Sequence, residues 1–309
     1  MHITADQQIR LNSISELHKI LGYDSPKHPL VTLVDLTKIH SLQKYERIDL
    51  SLGFYCIALK SGRDCDIKYG RQTYDFAEGS LVFSSPNQVA TIDFDPTAEQ
   101  LDGWLLCFHE DLIRGSALGK SIHNHTYFDY ASSEALHLSA DEKTKITRLV
   151  ETIQQEYSAN LDTFSLTLIV SHLEVMLNYC ERFYARQFIT RHHVNSDVIS
   201  QFEALLKSRL HHGELSVNGI PSVRLLASEL AYTPNYLSDL LKKETGKTAQ
   251  DHIYDQLISK AKHLLLQSNK QVSQIAYDLG YEYPEHFSKF FKGKLGLSPN
   301  AYRKQARPH

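Results

Sequence analysis

The chain has 309 residues, of which 42% are hydrophobic and 22% charged, so it is long enough for about two domains with buried cores. The formal net charge is only -3, but the charge is unevenly distributed. Residues 215–309 contain 13 Lys and Arg against 8 Asp and Glu, a net charge of +5, whereas residues 1–214 contain 20 against 28, a net charge of -8. A basic C-terminal region on an acidic body is typical of a protein whose partner is a polyanion.

The cysteines and the apolar segments indicate the compartment. Cys56, Cys65, Cys107 and Cys180 form no CxxC pair and no zinc-like cluster, so we expect reduced and mostly buried thiols. The N-terminus has no apolar signal-peptide core, and no run approaches the ~18 apolar residues of a membrane span. We therefore expect a soluble cytoplasmic protein with no membrane partner.

Residues 10–108 change from helical to strand-like patterning. Residues 10–21 have apolar side chains at helical spacing, and Gly22 is a typical C-terminal stop. Short apolar runs then alternate with turn residues, at 31–36, 54–59, 66–69, 80–83, 89–94 and 104–108. Many short strands at regular spacing predict an antiparallel β-barrel or jelly roll, whose interior can hold a small ligand.

From Asp141 the helical period returns. Ser139 and Glu142 are spaced as a capping box. Two amphipathic helices, from about 141 and from 164 to 188, predict a hairpin. Its apolar face would pack on the barrel, on the same hairpin of a second subunit, or on both, and we expect a homodimer.

A polar stretch, His192–Asp197, predicts a linker before a short helix at about 198–210. We place the hinge between about 190 and 222. The predicted class is α+β with two domains: a barrel over 1–140, a helical hairpin over 141–190, a linker and short helix over 191–221, and an all-α domain over 222–309.

One helix-turn-helix pattern occurs twice in the last third of the chain. The copies align with an offset of 49 residues before the turn and 50 after it, and a long helix over 251–267 joins them. The matched positions are Ala227 and Ala276 in the first helices, Ala231 and Gly280 in the turns, and Pro234 and Pro284 at the start of the second helices. Two such units on one rigid connector would meet major-groove segments about 34 Å apart.

The polar positions of each second helix are the candidate contacts to double-stranded DNA. Apolar residues such as Leu237 and Phe287 must face the core, so the polar ones face outward. Early residues reach base edges and lysines reach phosphates, although each position could also be merely solvated. The candidates are Asn235, Tyr236, Ser238, Asp239 and Lys242 in the first helix, and Glu285, His286, Ser288, Lys289 and Lys292 in the second.

The second copy resembles the signature of the AraC-type (AraC/XylS) family of bacterial transcription regulators. The residues that carry the resemblance are Ile275-Ala276-x-x-x-Gly280-Tyr281, Phe287-Ser288-Lys289-x-Phe291-Lys292 and Gly296-x-Ser298-Pro299-x-x-Tyr302-Arg303. It implies an all-α DNA-binding domain of two helix-turn-helix units and an activator or repressor, with RNA polymerase a candidate partner. Many members carry Arg where this chain has Leu257, so a basic contact from the connector is not implied here.

The N-terminal region resembles the cupin-like sensing and dimerisation domains that often accompany that DNA-binding domain. Gly79-Ser-Leu-Val-Phe83 with Ser85-Pro86, and Gly103 to His109, carry this less specific resemblance. It implies a small-molecule effector in the barrel. The candidate effector residues, each with ordinary core packing as its alternative, are Phe54, Tyr55, Phe83 and Trp104.

Other chemistry finds little support in the sequence. His123-Asn124-His125 lacks the further histidine and carboxylate of a cupin metal site, and Gly115–Ser121 has three residues between its glycines where a phosphate loop needs four. We predict no catalytic residue, no metal and no cofactor, hence no enzyme. Two alternatives stay open: a regulator without a ligand, controlled by abundance or a protein partner, and a cupin-type metalloenzyme with a DNA-binding tail.

Overall fold

The computed structural model describes residues 8–39, 47–61, 79–93, 102–159, 162–211 and 214–306. The fold class is α+β, with the strands in the N-terminal region and helices alone in the C-terminal region, as the sequence predicted. The chain divides into two compact units, Met1–Arg191 and His192–His309. Within the described ranges, no helix has the length and apolar character needed to span a bilayer.

The strands of the first unit form two sheets. The bounds are β1 (Gln8–Leu11), β2 (Val31–Asp35), β3 (Arg47–Leu52), β4 (Tyr55–Ser61), β5 (Ser80–Ser84), β6 (Val89–Asp93), β7 (Asp102–Phe108) and β8 (Leu136–His137). The smaller sheet has the order β1-β3-β6 and the larger β2-β7-β4-β5-β8. The β1–β3 pair is parallel, which corrects the expectation of a wholly antiparallel arrangement, and closure into a barrel stays a prediction.

One face of the larger sheet contributes to a hydrophobic cluster with β1, β3 and helix α1 (Ile14–Leu21). Cys56 lies opposite Cys107 in the β4–β7 pair, and both belong to this cluster, as does Val34 of β2. Ser13 caps the start of α1 by accepting a hydrogen bond from the Glu16 N–H. At its other end the predicted stop at Gly22 is confirmed, with a left-handed φ of 72°.

Four α-helices follow β7 in the described part of the first unit, and the last two of them pack against the larger sheet. They are α2 (Glu110–Ile113), α3 (Ala117–Ser121), α4 (Ala140–Ser158) and α5 (Ser165–Thr190). The Tyr157 hydroxyl of α4 accepts a 2.9 Å bond from Leu33 N of edge strand β2, and Gln187 of α5 accepts a 2.8 Å bond from His137 N of β8. The predicted hairpin therefore packs on the sheet, and the Ser139–Glu142 capping box is present.

The second unit is all helical in its described residues. The bounds are α6 (His192–Arg209), α7 (Glu214–Asn218), α8 (Val223–Glu229), α9 (Pro234–Thr245), α10 (Ala249–Gln267), α11 (Val272–Asp278), α12 (Pro284–Leu295) and α13 (Pro299–Ala306). The connector helix predicted over 251–267 is α10, and a capping box of Thr248 and Asp251 starts it. Its buried side includes Ile253, Leu257 and Leu265.

Two basic side chains cover the carboxyl ends of α6 and α10. Lys260 donates a hydrogen bond to the Leu210 carbonyl just after α6. Arg303 of α13 donates from Nε to the Leu265 carbonyl at 3.0 Å and from a terminal nitrogen to the Lys270 carbonyl at 2.9 Å. The last carbonyls of a helix have no partner within it, so a cation there supplies both a donor and a favourable charge.

Three local expectations change or fall outside the description. Leu11 belongs to β1, which pairs with β3, and not to the predicted helix over 10–21. The predicted linker at 192–197 is the first part of α6; there Asn195 is only 1% exposed and donates a 2.9 Å bond to Glu244 of α9. The predicted strand at 66–69 lies outside the described residues.

Candidate nucleic-acid interface

Helices α8 and α9 form one packed pair and α11 and α12 a second, and the two turns have the same geometry. Ala231 and Gly280 have left-handed φ values of 60° and 81°. Each turn closes with a hydrogen bond to the carbonyl of a fully buried alanine: Tyr232 N donates to Ala227 at 2.9 Å, and Tyr281 N to Ala276 at 3.0 Å. The predicted positions of Ala231 and Gly280 in the turns, and of Ala227 and Ala276 in the helices before them, are confirmed.

The second helices of the two pairs start and end alike. Each has 12 residues with proline at its first position, and each ends at a left-handed glycine, Gly246 or Gly296, with φ of 76° or 75°. The Thr233 side chain caps α9 by accepting a hydrogen bond from Tyr236 N at 3.3 Å, whereas the Tyr283 side chain makes no cap on α12. Proline fixes a helical φ where the missing N–H has no intrahelical role.

Gly280 is required by the close approach of α7 as well as by its φ. A Cβ at Gly280 would lie 2.7 Å from the Leu215 carbonyl oxygen and 3.1 Å from the Cα of Gly219. Both contacts are with backbone, which cannot rotate away as a side chain would. Close backbone packing against α7 therefore adds a second constraint to the turn of the second pair.

The predicted core positions lie inward. Leu237, Leu240 and Leu241 are buried, as are Phe287 and Phe291, whereas Phe290 is half-buried against Tyr254 with ring centroids 5.1 Å apart. The candidate contact residues Lys242, Glu285, His286, Lys289 and Lys292 are exposed, and Asn235, Ser238, Asp239 and Ser288 are half-buried. Nine of the ten candidates thus keep a solvent-accessible side chain on their helix.

The prediction that Tyr236 contacts DNA from the outward face of its helix is wrong. The sequence predicted an outward side chain, but the residue is 3% exposed and its ring stacks on Tyr232 at 5.3 Å, with an interplanar angle of 11°. The preceding turn brings Tyr232 alongside the start of α9, and stacking removes the apolar area of both rings from water. Tyr236 therefore does not belong to the outward set.

Three further exposed positions on the same helices were not among the contact residues predicted from the sequence. Lys243 on α9 and Gly293 and Lys294 on α12 are exposed. Helical spacing was the available signal, because Lys243 follows Asp239 by four residues, as Gly293 follows Lys289. On α12 an open groove of about 540 Å³ is lined by His286, Lys289, Phe290, Gly293 and Lys294, which we call the α12 groove.

The connector has no basic side chain at the position where many members of the resembled family carry Arg. Leu257 is 1% exposed and belongs to the buried side of α10. Burial also lowers the pKa of Lys260, whose ammonium donates to the Leu210 carbonyl at the end of α6. Tyr281, half-buried near Tyr254 and Phe290, has its pKa raised, chiefly by desolvation.

The four candidate effector residues do not line one space. Phe54 is fully buried in the cluster shared with the smaller sheet. Tyr55, Phe83 and Trp104 lie on β4, β5 and β7 in positions that share the other face, as the β4 register shows. There Tyr55 stacks on Phe108 at 5.1 Å, so ordinary core packing accounts for its contacts.

The two histidines considered for metal binding have different environments. His123 is exposed, while His125 is 8% exposed and its Nδ1 lies 3.1 Å from the Tyr127 hydroxyl, which donates to the Leu177 carbonyl at 3.0 Å. Burial lowers the pKa of His125, against the opposing charges of Glu181 and Glu174. Over the described ranges, no three His, Cys, Asp or Glu side chains are grouped as metal ligands would be.

A family model and known proteins match the part of the chain that contains these two helix pairs. A family model described as a helix-turn-helix domain matches residues 226–305. The HTH-type transcriptional regulator YobQ of Bacillus subtilis is 32% identical over 82 residues, 26% of this chain and 34% of that protein. An HTH-type transcriptional regulator of Haemophilus influenzae is 24% identical over 260 residues, 78% of this chain and 83% of that protein.

Among solved structures, the DNA-binding domain of AdpA in complex with a target DNA is 24% identical and covers 35% of this chain and 96% of that chain, with a TM-score of 0.31. The chain spans 34%, 15% and 42% of the lengths of three Bacillus subtilis regulators that it matches. The C-terminal region of this protein is an AraC-type (AraC/XylS) helix-turn-helix domain.

Proposed function

We propose that the protein is a sequence-specific, DNA-binding regulator of transcription in which α9 and α12 are the recognition helices of two helix-turn-helix units. The observation that carries the proposal is the duplication. Two 12-residue helices, each started by proline and ended by a left-handed glycine, follow the same turn and are joined by α10. A recognition helix preceded by a crossing helix is the arrangement that enters a major groove.

The outward side chains supply both kinds of contact that such a helix makes. Asn235, His286 and the half-buried serines can hydrogen-bond to base edges, and the exposed Lys242, Lys289 and Lys292 can pair with phosphates. The net charge of +5 over residues 215–309 favours a polyanion, whereas the net charge of -8 over residues 1–214 disfavours its approach to the rest of the chain.

The test uses the full chain and a library of random-sequence duplexes. Selection should enrich a sequence motif, and the dissociation constant for the enriched duplex should rise steeply with salt. The double variant Lys289→Ala/Lys292→Ala should lower the salt slope by about 2, because each lysine–phosphate pair contributes about 0.9 to the slope. Lys143→Ala, in the first unit, is the matched control and should leave the slope unchanged. No enriched motif, or equal slopes in all three proteins, would contradict the proposal.

The first unit is proposed to provide regulation through a homodimer. Hairpin helix α5 leaves Leu168, Val175 and Ile189 exposed at 42%, 43% and 63%, which supports a further apolar partner beyond the sheet it already covers. In sedimentation, the wild-type chain should have the mass of two subunits and Val175→Lys that of one. Wild-type protein that sediments as a monomer at micromolar concentration would refute this part.

A small-molecule effector in the first unit is also proposed, as are a cytoplasmic location and contact with RNA polymerase. Phe54 lies on the opposite side of the larger sheet from Tyr55, Phe83 and Trp104. One ligand would therefore contact either Phe54 or the group of Tyr55, Phe83 and Trp104, but not both. Trp104 is the single tryptophan of the chain, so its fluorescence is a direct probe during titration with a metabolite library. A ligand that changes the DNA dissociation constant without changing this fluorescence would point away from the second group.

A further inference from the structure

The α12 groove combines charge, an apolar floor and open space. His286, Lys289 and Lys294 are exposed along its sides, and half-buried Phe290 forms part of its floor. Lys294 Nζ lies 5.0 Å from the centroid of the Tyr254 ring, a cation–π distance that restrains the ammonium. Lys289 makes no ion pair with any residue in the part of the chain that the structure describes.

Gly293 lines this groove and, having no side chain, leaves it open. It lies inside α12, where glycine is unfavourable relative to alanine. Its φ is not in the left-handed region, so the helix does not need a glycine there. A Cβ at this position would meet nothing within 4 Å, so no packing contact inside the protein requires one either. The missing side chain instead leaves the helix backbone accessible from outside.

The first helix pair has a different set of groups at the same five positions. With the offset of 50 residues, the equivalents of the groove residues are Tyr236, Asp239, Leu240, Lys243 and Glu244. With histidine neutral, these carry a net charge of -1, against +2 in the α12 groove. Tyr236 is buried, and Glu244 accepts the hydrogen bond from Asn195.

We propose that the α12 groove seats the phosphodiester backbone of the DNA, with Lys294 contacting a phosphate and Gly293 allowing the strand to approach the helix, and that the first unit has no equivalent seat. The inference rests on the proposed function and goes beyond it, because it makes the two units unequal. The second unit anchors the protein through sequence-independent charge. The first, with Asp239 at the position of Lys289, contributes less to salt-dependent affinity.

The experiment measures binding of the full chain to a fluorescein-labelled random-sequence duplex of roughly 30 base pairs, about three turns, over a range of salt concentrations. Random sequence is suitable because phosphate contacts supply nearly all non-specific affinity. Lys294→Ala should lower the salt slope by about 0.9, whereas the matched control Lys207→Ala, an exposed lysine on α6, should not change it. Gly293→Ala should weaken binding several-fold at all salt concentrations without lowering the unfolding temperature.

Four other outcomes would contradict the inference in part or as a whole. Equal slopes for Lys294→Ala and Lys207→Ala would mean that only overall charge matters and would overturn the groove assignment. Unchanged or tighter binding by Gly293→Ala would overturn the close approach of the strand, and a slope for Lys243→Ala reduced as much as that for Lys294→Ala would overturn the inequality of the units. Wild-type protein that fails to bind the duplex at low salt would overturn the proposed function together with this inference.

Discussion

Replacing Gly280 by alanine tests whether α7 presses on the turn of the second helix pair. The new Cβ would lie 2.7 Å from the Leu215 carbonyl oxygen, at a backbone φ of 81°. Gly296 is the matched control, because its φ is 75° and a Cβ there would meet nothing within 4 Å. Both variants carry the cost of a left-handed alanine, and only the first also carries a backbone clash.

The left-handed conformation costs an alanine about 1–2 kcal/mol, and forcing extra volume into a packed site costs a further ~1–3 kcal/mol. Gly280→Ala should therefore lower the free energy of unfolding of the second unit by about 2–5 kcal/mol, and Gly296→Ala by about 1–2 kcal/mol. With a urea dependence of about 2 kcal/mol per M, the two midpoints should differ by roughly 0.5–1.5 M.

Urea titration followed by far-ultraviolet circular dichroism reports the helices of both units. Trp104, the single tryptophan, belongs to the first unit, so its fluorescence is an internal control that should not shift in either variant. Equal midpoints for the two variants would refute the close-packing argument. A shift of the Trp104 transition would show that the two units do not unfold independently.

Two further predictions concern single side chains. Arg303→Gln removes two hydrogen bonds from a charged donor to carbonyl groups. It should therefore lower the free energy of unfolding of the second unit by about 2 kcal/mol in the same urea titration. Lys304→Gln, at the exposed neighbouring residue, is the control and should have little effect. Burial lowers the pKa of His125 below its ordinary value of 6.5, so the unfolded chain binds the proton more readily and the first unit should lose stability as pH falls below about 6.5. His125→Gln should weaken this pH dependence of the unfolding temperature, and His123→Gln should preserve it; the same pH dependence in both would contradict the assignment.

Short-range features were predictable because a few neighbouring residues determine them. The stop at Gly22, the Ser139–Glu142 capping box and the proline starts of α9 and α12 each depend on groups within about one helical turn. The repeat offset also located both turns, since Ala231 and Gly280 adopt the left-handed φ that their position requires.

The sequence by itself thus determined the duplication in the C-terminal domain, the proline starts of α9 and α12, the connector α10 and most of the outward polar positions. Tertiary structure decided which side chains lose their access to solvent. Tyr236 is buried because Tyr232 folds back over it, and the polar start of α6 is helical where Asn195 reaches Glu244. Phe54 and Tyr55 are adjacent in sequence yet belong to opposite sides of the larger sheet. Burial depends on which distant segment packs against a residue, and local periodicity carries no information about that partner.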